Sequence, residues 1–473
     1  MHKGSSFFPA TRESANMTPH PPIPAFAAQC LPAPSTNATL LLVPGFWSLL
    51  QSNPNYRYTW MGQVVSEVGD HFNSIAVLSL TLHLTGSGLA VGGVMIARTL
   101  PAILAGPVAG VALDRFDRRK IMLASDIIRA VVALSFILIL RYQQRWLLYL
   151  LSGLLTFASP FFTSGRSAVL PRITSPDELH TANALTQTTA WLTLSIGTLL
   201  GGVSTMRFGY EWAFVANALS FVFSAWAIWR LRTPEGHFRP ERKIVTHHSF
   251  GEFRKDLKET FAYMRSTPLI FAIGMAYVGW ASGGGAAQIL FTLFGELVFK
   301  RGSAGIGIIW SAAGVGLVIG GVLAHRIGKR LSFRGYKNSI SIGYLIHGLA
   351  YIFYALMPTI WLSALCIGMS RIAMGSNNVL NRTMLLTHVP DRLRGRIFSS
   401  IDMMLNAMMM ISMGAASVAT DRLPIRTIGV IAGCFSASTS FFWLWADMAG
   451  KLREPPREAE QEKEDYEPAV TPG

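Results

Sequence analysis

Twelve stretches of this chain are each about twenty residues long, mainly apolar and poor in charge. A helix needs about that length to cross the ~30 Å hydrocarbon core of a bilayer. Lipid offers the backbone no hydrogen-bond partner, so a spanning segment of this kind must be an α-helix. The stretches are Tyr58–Leu84, Leu89–Ala109, Ile121–Leu140, Leu147–Ser164, Thr181–Ser204 and Trp212–Trp229, then Ile270–Phe294, Gly305–Ala324, Ser339–Leu356, Ile360–Val379, Ile397–Ala419 and Ile428–Ala446. The expected fold class is an all-α membrane protein with twelve transmembrane helices in two six-helix bundles.

Composition supports that reading. Of the 473 residues 51% are hydrophobic and 14% are charged, against about 25% charged in a typical soluble chain. The net charge of +15 sits in short clusters between apolar runs. A nucleic-acid binder carries its charge on a hydrophilic surface, so no nucleic-acid partner is expected. Cys30, Cys366 and Cys434 are too few and too far apart for a disulfide framework or a zinc site. There is no G-x-x-x-x-G-K-[ST], H-E-x-x-H or G-x-S-x-G, so neither an enzyme nor a cofactor or metal is expected, and His247 and His248 read as solvated.

The expected division is a disordered extension over 1–55, bundles over 56–231 and 268–449, a linker over 232–267, and a disordered tail over 450–473. The run Thr39–Leu50 contains Pro44 and is too short to span. In the linker, Phe250, Phe253, Leu257, Phe261 and Met264 recur every three or four residues, which predicts an amphipathic helix. Lys and Arg concentrate in alternate loops, at Arg115–Lys120, Arg230–Arg265 and Arg326–Lys337. By the positive-inside rule these loops and both termini face the cytoplasm of a bacterial inner membrane.

The two halves echo each other. Gly110-Val-Ala-Leu-Asp-Arg115-Phe-Asp-Arg-Arg119 follows the second stretch, and Gly321-Val-Leu-Ala-His-Arg326-Ile-Gly-Lys-Arg330 follows the eighth. Pro176-Asp-Glu-Leu179 and Pro390-Asp-Arg-Leu393 form a second echo. Parallel repeats of this kind place a substrate site between the halves, near the midplane.

These residues resemble the major facilitator superfamily, and within it the drug:proton antiporter and enterobactin-exporter-like branch. Gly110, Asp114, Arg115, Arg118 and Arg119 match its loop signature, with one residue fewer before the final basic pair. Ser66–Asp70, Leu100-Pro101, Leu170-Pro171, Ala182–Leu185 and Arg394-Gly-Arg396 add to the likeness. Two positions depart: Thr198 stands where antiporters often carry proline, and His325 replaces the acid of the second loop signature. The resemblance implies the major facilitator fold and secondary active transport by alternating access, with proton-coupled export of a drug-like or siderophore-like molecule. Uptake, lipid or lysophospholipid movement and a non-transporting sensor stay open. The expected partners are a small molecule, protons and membrane lipid, with the chain a monomer. The resemblance makes Gly110, Asp114, Arg115, Arg118 and Arg119 a conformational latch.

Ionisable residues inside a span are functional candidates, because each costs about 2.5–3.5 kcal/mol at the bilayer centre. Glu67 and Asp70 share a helix face, and Arg98 lies mid-span in the next stretch. Arg98 is expected to pair with one carboxylate, leaving the other to carry a proton or to complete a static ion pair. Asp126 and Arg129 fall nearer the cytoplasmic end and read as structural. Arg371 reads as an anion ligand or as the partner of Asp402, with Asn406 one turn on. Tyr277, Trp280 and Gln288, with Phe157 and Phe161, are further cavity candidates. The methionines of the eleventh stretch suit an adaptable surface or plain packing. Gly283-Gly-Gly285 predicts either a kink or close helix packing.

Overall fold

A computed structural model describes residues 45–233, 236–239 and 250–454. The expectations for the extension before residue 45, for residues 240–249 and for the tail from 455 lie outside the described residues. A short α1 (Phe46–Ser52) leads into α2 (Pro54–Thr85), α3 (Gly88–Arg115), α4 (Arg118–Ser135), α5 (Ile137–Tyr142), α6 (Trp146–Ile173), α7 (Pro176–Phe208) and α8 (Tyr210–Trp229). Then come α9 (Phe250–Ser266), α10 (Pro268–Leu293), α11 (Gly302–Gly328), α12 (Phe333–Leu356), α13 (Ile360–His388), α14 (Asp391–Ala419) and α15 (Ile425–Met448). A π-helical turn, Phe294–Val298, extends α10.

Each apolar stretch became one helix (α4 and α5 share one), usually longer than the stretch itself. The extra residues are polar turns bounded by caps. Asn53 accepts from the Tyr56 amide and Pro54 opens α2. Ser175 and Glu178 form a reciprocal capping box at the start of α7. Gly86 closes α2 in the left-handed conformation that glycine adopts without a steric penalty.

Among the described residues nine helices are long and apolar enough to cross a membrane. The equally long α2, α7 and α13 are not among them, because they turn polar side chains inward. Gln63, Ser66 and Asn73 of α2, Thr193 and Thr198 of α7, and Ser370, Asn377 and Asn381 of α13 are all buried.

Helices α2, α3, α4, α6, α7 and α8 pack chiefly on one another, and so do α10 to α15. Helices α7 and α11 form the most extensive seam between the two groups, and α3 meets α14. Gly283–Gly285 leaves α10 unbroken. A Cβ at Gly283 would stand 2.2 Å from the Ala432 carbonyl of α15, and one at Gly285 would stand 2.2 Å from the Met409 carbonyl of α14. The triple glycine is therefore a packing device, as small residues are in membrane helices generally. The amphipathic α9 docks on α10 and α14, with Met264 buried against Gly274.

Candidate functional site

Glu67 and Asp70 share one face of α2, as their spacing requires, and each is met by its own arginine. Arg166 of α6 places Nη1 3.5 Å from Glu67 Oε1. The same oxygen accepts from Gln63 Nε2 at 2.9 Å, and Oε2 accepts from Thr193 Oγ1 at 2.7 Å. Arg129 of α4 places Nη1 3.8 Å from Asp70 Oδ2 and also bonds Asp126. The Arg129 guanidinium lies between two rings, 4.8 Å from the centre of Phe162 and 4.3 Å from that of Phe221.

This corrects the expected pairing. Arg98 was to hold one carboxylate, but its Nη1 is buried with no hydrogen-bond partner, and the ion pairs belong to Arg129 and Arg166. Arg129 stands about 16 Å along α4 from Arg118 at 1.5 Å per residue. That is deep enough to reach the middle of α2. Arg129 and Arg166 are partners that spacing could not supply, since each pairs with a carboxylate on another helix.

Asp70 is not sealed. Its side chain is 33% exposed, against 3% for Arg129. It opens on a cavity of about 320 Å³ shared with His71, Arg98, Ser159, Gln288 and Trp310. Gln288, expected at a cavity, is there. Phe157 and Phe161 pair with each other at 6.1 Å and line neither this cavity nor the next.

A second cavity, of about 470 Å³, is lined from α7, α10, α11, α13 and α14. It takes in the expected Tyr277, Trp280 and Asp402, together with Gln187, Trp191, Asn378 and Arg382. Arg371 does not pair with Asp402, which corrects that alternative. It is buried over the Phe291 ring at 5.3 Å, and its Nε lacks a hydrogen-bond partner. Arg382, three turns further along α13, is the arginine that shares a cavity with Asp402. Asn406 spends its amide on the Asp402 backbone carbonyl at 2.8 Å.

At the α3–α4 junction the capping acid is Asp117. It accepts from the Lys120 amide at 3.1 Å and from the Phe238 amide at 3.0 Å. Arg118 donates to the Ala168 carbonyl at 2.8 Å, and Arg119 donates to the Trp229 carbonyl. These bonds tie the junction to the ends of α6 and α8. Asp114 and Arg115 are exposed, and Gly110 faces open space.

The opposite end of the molecule holds a closure that sequence reasoning missed. Ser79 of α2 donates to Glu296 in the π-helical turn at 3.1 Å and lies 3.2 Å from Tyr210 Oη. Ser303 of α11 donates to the Gly202 carbonyl at 3.0 Å. A Cβ at Gly307 would stand 2.5 Å from the Thr198 carbonyl. Gly197 and Gly201 lie against His71 and Phe72 of α2. The glycines after α7's polar turns therefore allow contact on two sides, toward α2 and α11. The Gly197–Gly202 pattern hinted at this, whereas nothing near Glu296 did.

The comparisons with known proteins agree with this architecture. The profile of the Major Facilitator Superfamily matches residues 59–369 and 331–471. A Bacillus subtilis protein named as a bacilysin exporter, BacE, is 25% identical over 352 residues, covering 74% of this chain and 84% of that protein. The enterobactin exporter EntS of Citrobacter koseri is 24% identical over 362 residues, covering 74% and 81%. In structure the chain is similar to the nucleoside transporter NupG, with a TM-score of 0.66 at 14% identity, over 83% of this chain and 99% of that one. With its profile matched across nearly all of the helical region, this chain belongs to the Major Facilitator Superfamily of membrane transporters.

Proposed function

We propose that the protein is a proton-coupled exporter of small amphipathic molecules, drug-like or siderophore-like, working by alternating access in the bacterial inner membrane. On this reading α2, α7 and α13 span beside the nine apolar helices. The twelve spans form bundles over 56–231 and 268–449, both termini are cytoplasmic, and the chain acts as a monomer. The observation that carries the reading is Asp70, a carboxylate held by a buried arginine yet open to a cavity lined by both groups of helices. A carboxylate so placed can exchange a proton with the cavity and trade its hold on Arg129 for that proton. Glu67, tied to Arg166 and Thr193, is the second carrier, and Arg98 supplies positive potential at the same cavity. One charge moved across 100 mV is worth about 2.3 kcal/mol, enough to drive a concentration gradient. The exporter names of the relatives BacE and EntS support the direction. The Asp114–Arg119 segment serves as the latch, with Arg118 and Arg119 bonded to the ends of α6 and α8 in this state.

The test uses cells stripped of their native pumps and loaded with a panel of fluorescent amphipaths. Expressing the wild-type chain is expected to lower the retention of at least one dye. Asp70→Asn and Glu67→Gln together are expected to return retention to that of the empty host, at equal protein in the membrane. Faster uptake, or accelerated movement of fluorescent lysophospholipid with no dye efflux, would contradict export and favour the uptake or lipid task.

A further inference from the structure

The second cavity contains a pair of opposite charges that do not meet. Arg382 and Asp402 line the same space and are within electrostatic reach of each other. Among the described residues neither side chain makes an ion pair or hydrogen bond, and the Arg382 guanidinium rests on the Phe398 ring at 5.3 Å. Both side chains are open to the cavity. Elsewhere in this protein arginines beside carboxylates do close on them, as Arg129 and Arg166 do. The lining they share includes three large aromatic side chains, Trp191, Tyr277 and Trp280. Trp280 adds a buried Nε1 donor with no partner. A small-molecule site has this composition, an apolar lining with a few convergent polar groups that fix orientation.

We propose that this cavity is the substrate site and selects a zwitterion with an apolar or aromatic body. Arg382 takes the anionic group, a carboxylate in the simplest case, through its planar fork of donors. Asp402 takes the cationic group, an amine. The Trp191, Tyr277 and Trp280 faces cover the body between them. A ligand carrying both charges completes two charge-assisted bonds at once. A ligand with one charge leaves either Arg382 or Asp402 desolvated and unpaired, a penalty that discriminates more strongly than lost contact area. The proposal rests on the transporter reading and deepens it by naming the substrate class.

The test measures binding to the purified full chain in detergent with three probes: the dipeptide phenylalanyl-leucine, its C-terminal amide and its N-acetyl form. The free dipeptide is expected to bind at least about tenfold more tightly than either capped form, the size of one lost charge-assisted bond. Arg382→Gln should bind acid and amide alike while still preferring the free amine. Asp402→Asn should bind free and acetylated amines alike while still preferring the acid. Arg382→Lys should keep part of the acid preference, which separates recognition from folding. The proposal is overturned if the wild type binds a capped form as tightly as the free dipeptide, if it binds none of the three, or if either variant keeps the preference it should lose. Dye efflux from pump-deficient cells alongside such a result would sink the zwitterion site and leave the exporter reading standing. Absence of any efflux would count against the exporter reading itself.

Discussion

Arg129→Leu is expected to destabilise the protein by about 3–5 kcal/mol, the usual cost of removing one partner from a buried ion pair. Asp126 is fully buried, and its Oδ2 already lacks a hydrogen-bond partner. Without Arg129 it would be an uncompensated buried charge between helices that pack on α4 from α6 and α8. The loss also removes two cation–π contacts, each worth about 0.5–2 kcal/mol. The partner variant separates charge from packing. With Asp126→Leu added to Arg129→Leu, most of the lost stability should return, because an apolar pair of similar volume often replaces a buried ion pair at little cost. Asp70 would remain, open to its cavity. Equilibrium unfolding in mixed detergent micelles reads both. A single variant as stable as the parent would show that Arg129 is not the counter-charge of Asp126 and Asp70.

Gly307→Leu is expected to reduce transport to background while the protein still folds. The seam between α7 and α11 closes over backbone. A Cβ at Gly307 meets the Thr198 carbonyl at 2.5 Å and the Gly202 Cα at 3.1 Å, so no side-chain rotation relieves the clash. Overpacking of this kind costs about 1–3 kcal/mol, which a large helical protein can survive. A wedge there should hold the Ser79–Glu296 and Ser303–Gly202 contacts apart and leave the molecule unable to complete its cycle. Ser303→Cys, buried at 4% exposure in the closed seam, supplies the readout. Its labelling by a membrane-impermeant maleimide should be slow in the Gly307 background and fast beside Gly307→Leu. Normal transport with unchanged labelling would mean that this seam does not move.

The helices were legible in the sequence and their partners were not. Hydrophobic runs located every long helix, because the lipid requirement acts on each segment alone. They undershot the ends because capping turns such as Ser175–Glu178 are polar. The 3.6-residue period placed Glu67 and Asp70 on one face, but nothing local says which neighbouring helix that face meets. Arg98 looked nearest in the chain, whereas Arg129 and Arg166 are nearest in space. The same limit hid Arg382 behind Arg371. The choice at Gly283–Gly285 between a bend and close packing was settled by Ala432 and Met409, residues more than a hundred positions away. Asp114 matched the loop signature, yet Asp117 does the capping, since its spacing to Lys120 is that of an N-cap to its third residue.

The claim that an open carboxylate on α2 couples protons to export is tested most directly in proteoliposomes holding a trapped pH indicator and a dye that the pump-deficient cells extrude. An imposed proton gradient should drive dye against its own gradient, with protons crossing in the opposite direction. Asp70→Asn with Glu67→Gln should abolish both movements. Dye flux that ignores the proton gradient, or that persists with unchanged proton movement in the double variant, would contradict the account.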